Sequence, residues 1–155
     1  MTAFDTRQEL FREILRSAGE ARLAVNGASM LPAIWPGDVV TVRAFEVADL
    51  RPGRIVLFPR ENLVVSHRIL AVRPDGTIIT GGDSAPRRDP PISPADIIGR
   101  VVAIERNGRR ISPEQSTWQR CVACILRHSD FCTRVLLFLH HRSRPTPNSE
   151  VAWAS

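Results

Sequence analysis

The 155-residue chain contains no lysine and no tyrosine. Without lysine, no Ser-Lys dyad can be built from this sequence. All 21 basic residues are therefore arginine, and the formal net charge is +5. Long hydrophobic runs are also missing. The longest apolar stretches, Cys121–Leu126 and Val135–Leu139, fall far short of the roughly 18–20 residues a membrane-spanning helix needs. The first twenty residues carry Asp5, Arg7, Glu9, Arg12, Glu13 and Arg16 and lack the apolar core of a secretory signal. A cytoplasmic or peripheral-membrane location is expected. Cysteine is scarce and clustered, with Cys121, Cys124 and Cys132 close together. With His128 they form a candidate zinc set. Their offsets also fit one face of a single helix, where cysteine packs as a small hydrophobe. We expect neither a metal nor a cofactor.

Apolar residues make up 43% of the chain, enough to form a core. The 12 prolines and 9 glycines fall mostly between residues 27 and 113, which favours short strands over long helices. Residues 1–20 read as an amphipathic helix, with Phe4, Leu10, Phe11, Ile14 and Leu15 near one face and Gly19 as its stop. Residues 21–111 read as a β-rich body. Leu63–Val72 and Thr77–Thr80 suit a hairpin across Pro74-Asp75-Gly76, and Asn107-Gly108 is a second hairpin turn. Residues 112–141 are predicted helical, with Ser112 as N-cap, Pro113 beside it and Gln115 three positions on. Residues 142–155 read as a flexible tail. The fold class is mainly β, with helical segments at both ends.

Three segments carry candidate chemistry. Gly27-Ala28-Ser29-Met30-Leu31-Pro32 places a serine among small residues, which admit a substrate backbone. Alone it reads as a turn serine. Val64-Val65-Ser66-His67-Arg68 puts a histidine in a β-branched run, either as a strand residue or as a general base. Gly81-Gly82-Asp83 and Asp89 set two carboxylates six apart in a loop, where one could orient a histidine.

In this order, residues 25–104 resemble the signal peptidase I family of serine peptidases, and within it the archaeal and endoplasmic-reticulum type. The resemblance rests on Ser29-Met30-Leu31-Pro32, Gly37-Asp38-Val39-Val40, His67-Arg68, Gly82-Asp83 with Asp89, and Gly99-Arg100-Val101. It implies a coiled β domain, a Ser29 nucleophile, a His67 base in place of the lysine used elsewhere in the family, and Asp89 completing a triad. Asp83 would be structural, with Met30, Gly27 and Arg68 supporting the site. The Ser29 N–H would donate to an oxyanion, and substrates would be peptide or protein precursors cut after small residues. Three features depart from the resemblance: a charged helix stands in place of a membrane anchor, Arg54 stands where aspartate is usual, and the C-terminal segment 118–141 has no counterpart in it. The rival reading is a non-catalytic β module that binds peptide or nucleic acid through the basic region 100–144. On the peptidase reading no nucleic-acid partner is expected, while the apolar stripe of residues 118–141 could lie on a membrane surface.

Overall fold

The computed structural model describes residues 3–61, 63–114 and 116–142. Helix α1 (Ala3–Ala18) ends at Gly19, whose φ of 76° is the left-handed value glycine adopts freely. Seven strands follow: β1 (Glu20–Ala24), β2 (Val39–Ala44), β3 (Ile55–Arg60), β4 (Leu63–Val72), β5 (Ile78–Gly81), β6 (Gly99–Arg106) and β7 (Arg109–Ile111). They form one antiparallel sheet in the order β1-β2-β6-β3-β4-β5, with β7 also paired to β6. Helices α2 (Thr117–His128) and α3 (Asp130–Arg142) complete the chain. The mainly-β class expected from the punctuation pattern is the class observed.

Period-two alternation explains why the first four residues of β3, Ile55–Phe58, are all apolar. Ile55 and Leu57 enter one core, with Leu15, Met30, Ile34, Val42 and Ile104. Val56 and Phe58 enter a second core, with Ile69, Ile78 and Ile97. Both faces of β3 are thus buried, and side chains fully removed from water contribute about 1.5–3 kcal/mol each. Helix α1 closes the first core through Leu15 and Phe11. Leu10 and Ile14 remain exposed, so the apolar stripe is split rather than buried whole. The side chain of Phe4 lies outside the description. Arg12 ties α1 to the body by donating to the carbonyls of Ile97 (3.0 Å) and Ala95 (3.1 Å).

Both predicted hairpins form. At β4–β5, Asp75 Oδ1 accepts from the Thr77 N–H (2.9 Å) and from the Thr77 hydroxyl. The Thr77 hydroxyl, and then its N–H, hold the Asp75 carboxyl below its ordinary range. At β6–β7, Asn107 (φ 50°) and Gly108 (φ 74°) make the tight turn.

The C-terminal region differs from expectation in three respects. Helix α2 starts at Thr117 rather than near Pro113, and Ser116 is its N-cap in place of Ser112. The side chain of Gln119 accepts from the Ser116 N–H at 2.8 Å, satisfying a donor the helix itself cannot. Gln115, the capping partner expected from the sequence, lies outside the described residues. The expected single helix is also broken into two, which separates Cys132 on α3 from Cys121, Cys124 and His128 on α2. Among the described residues no group of three or more His, Cys, Asp or Glu side chains is close enough to hold a metal ion. Ala123 and Leu126 of α2 are buried, and the His140 ring of α3 meets the Trp35 ring at 4.5 Å. Trp118, Ile125, Val135, Phe138 and Leu139 stay exposed. Among the described residues no helix is long and apolar enough to cross a membrane. The tail proposed for 142–155 lies, beyond Arg142, outside the described residues.

Candidate active site

Ser29 sits on the loop between β1 and β2. Met30, Leu31 and Ile34 are buried immediately after it and anchor the loop in the first core. Polar ties complete the anchorage. Trp35 Nε1 donates to the Pro32 carbonyl (2.9 Å), and the Trp35 N–H donates to Asp38 (2.8 Å). Asp38 is wholly buried, and Arg106 answers its charge through Nε (3.0 Å) and NH2 (2.7 Å). Arg106 also donates to the Ala33 carbonyl at 3.1 Å. The serine therefore stands on a loop whose neighbours cannot move without exposing apolar surface or a paired charge.

His67 lies mid-way along β4, opposite Val56, with its ring centroid 6.1 Å from that of Phe58 in an edge-on arrangement. It is only 6% exposed, as is Asp89. The Ser29 hydroxyl lies 3.0 Å from His67 Nε2, and His67 Nδ1 lies 2.6 Å from Asp89 Oδ2. A carboxylate accepts, so the imidazole proton belongs on Nδ1. The Nε2 lone pair is then directed at the serine hydroxyl. Hydroxyl, imidazole and carboxylate form one proton-transfer chain, and its terminal carboxylate is shielded from water. The chain can take a proton from Ser29 and stabilise the resulting imidazolium.

Two members of this cluster were not singled out from the sequence. Thr80 on β5 donates its hydroxyl to Asp89 Oδ2 at 2.8 Å, and the Asp89 N–H donates to the Thr80 carbonyl at 2.9 Å. Arg60, at the end of β3, donates to Asp89 Oδ1. Both carboxylate oxygens are thereby engaged. Thr80 could have been suspected as a polar residue inside the apolar run Ile78-Ile79-Thr80. Arg60 carries no such signal among 21 arginines.

Asp83 takes a different part. Arg68 grips it through two parallel bonds, Nε to Oδ1 (2.8 Å) and NH2 to Oδ2 (2.7 Å). Arg68 NH1 also donates to the carbonyls of Gly53 (2.7 Å) and Pro113 (3.2 Å). The next residue, Ser84, clamps the serine loop: its N–H donates to the Ser29 carbonyl (3.0 Å) and its hydroxyl to the Ala28 carbonyl (2.9 Å). Gly82 is required by this approach. A Cβ there would lie 2.5 Å from the Ser29 carbonyl oxygen and 2.9 Å from the Ser29 Cβ. Gly27 is exposed, with nothing within 4 Å of where its Cβ would be. Its openness leaves one side of Ser29 free.

That open side faces a groove of about 450 Å³. Leu23–Gly27 form one wall and Leu63–Ser66 the other, with Met30, Val40 and Leu57 between. Both walls have unused backbone edges. Among the described residues β1 pairs only with β2, and β5 pairs with β4 only from Arg68 onward. An extended chain entering the groove can therefore meet main-chain donors and acceptors on either side.

The chain matches no protein-family model, and no curated protein matches it at a significant level.

Proposed function

We propose that this chain is a serine endopeptidase that cuts a peptide or protein precursor by acyl transfer. The observation that carries the reading is the Ser29–His67–Asp89 chain, with contacts of 3.0 and 2.6 Å, beside an apolar groove with open strand edges. The fit of residues 25–104 to the signal peptidase I pattern supports the same conclusion.

On this reading the substrate lies extended between β1 and the first half of β4. Met30, Val40 and Leu57 favour small apolar side chains next to the scissile bond, and the resemblance points to the same preference. The Ser29 oxygen attacks the peptide carbonyl while Nε2 of His67 takes the hydroxyl proton. The carbonyl becomes a tetrahedral oxyanion, and the Ser29 N–H is the donor we assign to it. Collapse breaks the C–N bond, and the imidazolium gives its proton to the departing amine. Water then attacks the acyl-serine ester, again losing a proton to His67. The second product leaves as a carboxylic acid, and Ser29 recovers its hydrogen. Asp89 holds the reactive tautomer throughout. The apolar side chains exposed on α2 and α3 are consistent with work at a membrane surface.

A fluorophosphonate probe tests the reading directly. Labelling of the wild type and none of Ser29→Ala is the expected result. Absence of labelling in the folded wild type would favour the non-catalytic binding module instead. N-terminal mapping of peptides released from a precursor library by wild type, but not by Ser29→Ala, would then define the cleavage preference.

A further inference from the structure

Beside Arg68, near the middle of strand β4, lies a second feature, unrelated to proton transfer. Two clefts share Arg54 and Glu114 in their walls. One, of about 370 Å³, is lined by Arg51, Arg54, Arg68 and Arg120. The other, of about 260 Å³, is lined by Arg43, Arg54, Arg100 and Arg110. Among the described residues Glu114 is the one acid in either lining, and its side chain is 80% exposed and 3.9 Å from Arg54. Asp83 occupies Arg68, Asp49 lies against Arg100 and Glu20 against Arg43. Among the described residues Arg51, Arg110 and Arg120 make no ion pair. These three guanidiniums, held around concave spaces beside four paired ones, constitute a receptor for anions.

Its position relative to the groove gives this receptor a use. Arg60 pairs with Leu63 at the groove end of the β3–β4 ladder, and Ile55 pairs with Arg68 at the cleft end. Five residues of strand separate the two ends, about 17 Å at the usual rise. His67 stands next to the cleft end. An extended polypeptide of about six to eight residues is long enough to span that separation.

We propose that the arginine-lined clefts are an exosite for an acidic segment of the substrate, with Asp or Glu side chains about four to eight residues from the scissile bond. The proposal rests on the peptidase reading for its account of why a chain would lie in the groove. Cleft shape selects the occupant. A side-chain carboxylate enters a concavity of this size and accepts two parallel bonds from one guanidinium. A bilayer or a nucleic-acid duplex presents a broad surface that does not enter.

The test uses the full-length Ser29→Ala protein, so that binding is read without turnover. Two fluorescent peptides share an alanine-rich stretch; one continues into Asp and Glu, the other into Gln. Fluorescence anisotropy should give the acidic peptide about tenfold tighter binding at low salt, with the advantage shrinking as salt rises. Adding Arg51→Gln, Arg54→Gln and Arg120→Gln together should abolish the difference. If that combination fails to fold, as read by its thermal transition, Arg120→Glu alone should reduce the difference. Equal affinity for the two peptides would overturn the proposal, as would a preference that survives these substitutions. Displacement of the acidic peptide by anionic vesicles or RNA at lower concentration than by acidic competitor would also overturn it, assigning the clefts to another polyanion. Failure of the peptidase reading looks different: no probe labelling of the wild type, with peptide discrimination intact.

Discussion

Arg60 donates to the oxygen of Asp89 that does not face His67. Asp89 is thus held between a half-exposed cation and a buried imidazole, with Thr80 bracing it. The arginine immobilises the carboxylate and also draws off part of its negative field. A bond of this charge-assisted kind contributes about 1.5–3 kcal/mol. Arg60→Gln should therefore lower kcat by about tenfold, with Arg60→Lys recovering part of the loss. Steady-state kinetics of both variants against wild type measure it; an unchanged kcat in Arg60→Gln would reduce Arg60 to a structural strut.

On the proposed mechanism Ser29 and His67 act on one proton. Ser29→Ala and His67→Ala should each remove nearly all peptide cleavage, and the double variant should be little worse than either. Asp89→Asn should cost about 10³–10⁴-fold in kcat, because an amide can hold the unreactive tautomer. Additive losses for Ser29 and His67 in a double-mutant cycle would contradict a shared step.

Gly82 sets the distance between the Asp83 loop and the serine loop. Gly82→Ala puts a methyl group where the Ser29 carbonyl already lies, 2.5 Å away. Backbone must shift on one side or the other. Probe labelling of Ser29 should slow by about tenfold or more, the cost expected of a misplaced reacting group. Rate constants for labelling, compared at matched folded fraction, are the measurement.

The Arg68–Asp83 pair is buried at both ends, with side chains 6% and 4% exposed. Removing one partner strands the other. Asp83→Ala should destabilise the fold by about 3–5 kcal/mol, whereas replacing both residues with apolar side chains of similar size should recover much of that loss. Urea denaturation of the single and double variants decides it.

Much of this protein could be read in one dimension. Short apolar bursts between Pro and Gly signals specified strands, and Asp75-Gly76 and Asn107-Gly108 specified hairpins, because turn geometry is a local property of those residues. The absence of lysine excluded one kind of base before any fold was known. His67 is the one histidine before residue 128, so the β body offered a single imidazole to consider.

Other features depended on distance in space. The Ser29 and His67 contact spans 38 residues and that of His67 with Asp89 spans 22. Residue order could suggest these contacts, but only strand pairing and loop anchorage bring the atoms within bonding reach. Arg60 and Thr80 join Asp89 for the same reason, since a side chain's partners across a sheet depend on register, which no single strand contains. The cysteine pattern shows the converse. One helical face drawn through 121, 124, 128 and 132 ignored the break at Ser129, where the backbone leaves helical geometry. Sequence determined which residues were chemically able to act; the sheet decided which of them meet, because proximity between distant segments arises from burial of shared apolar faces and not from local preference.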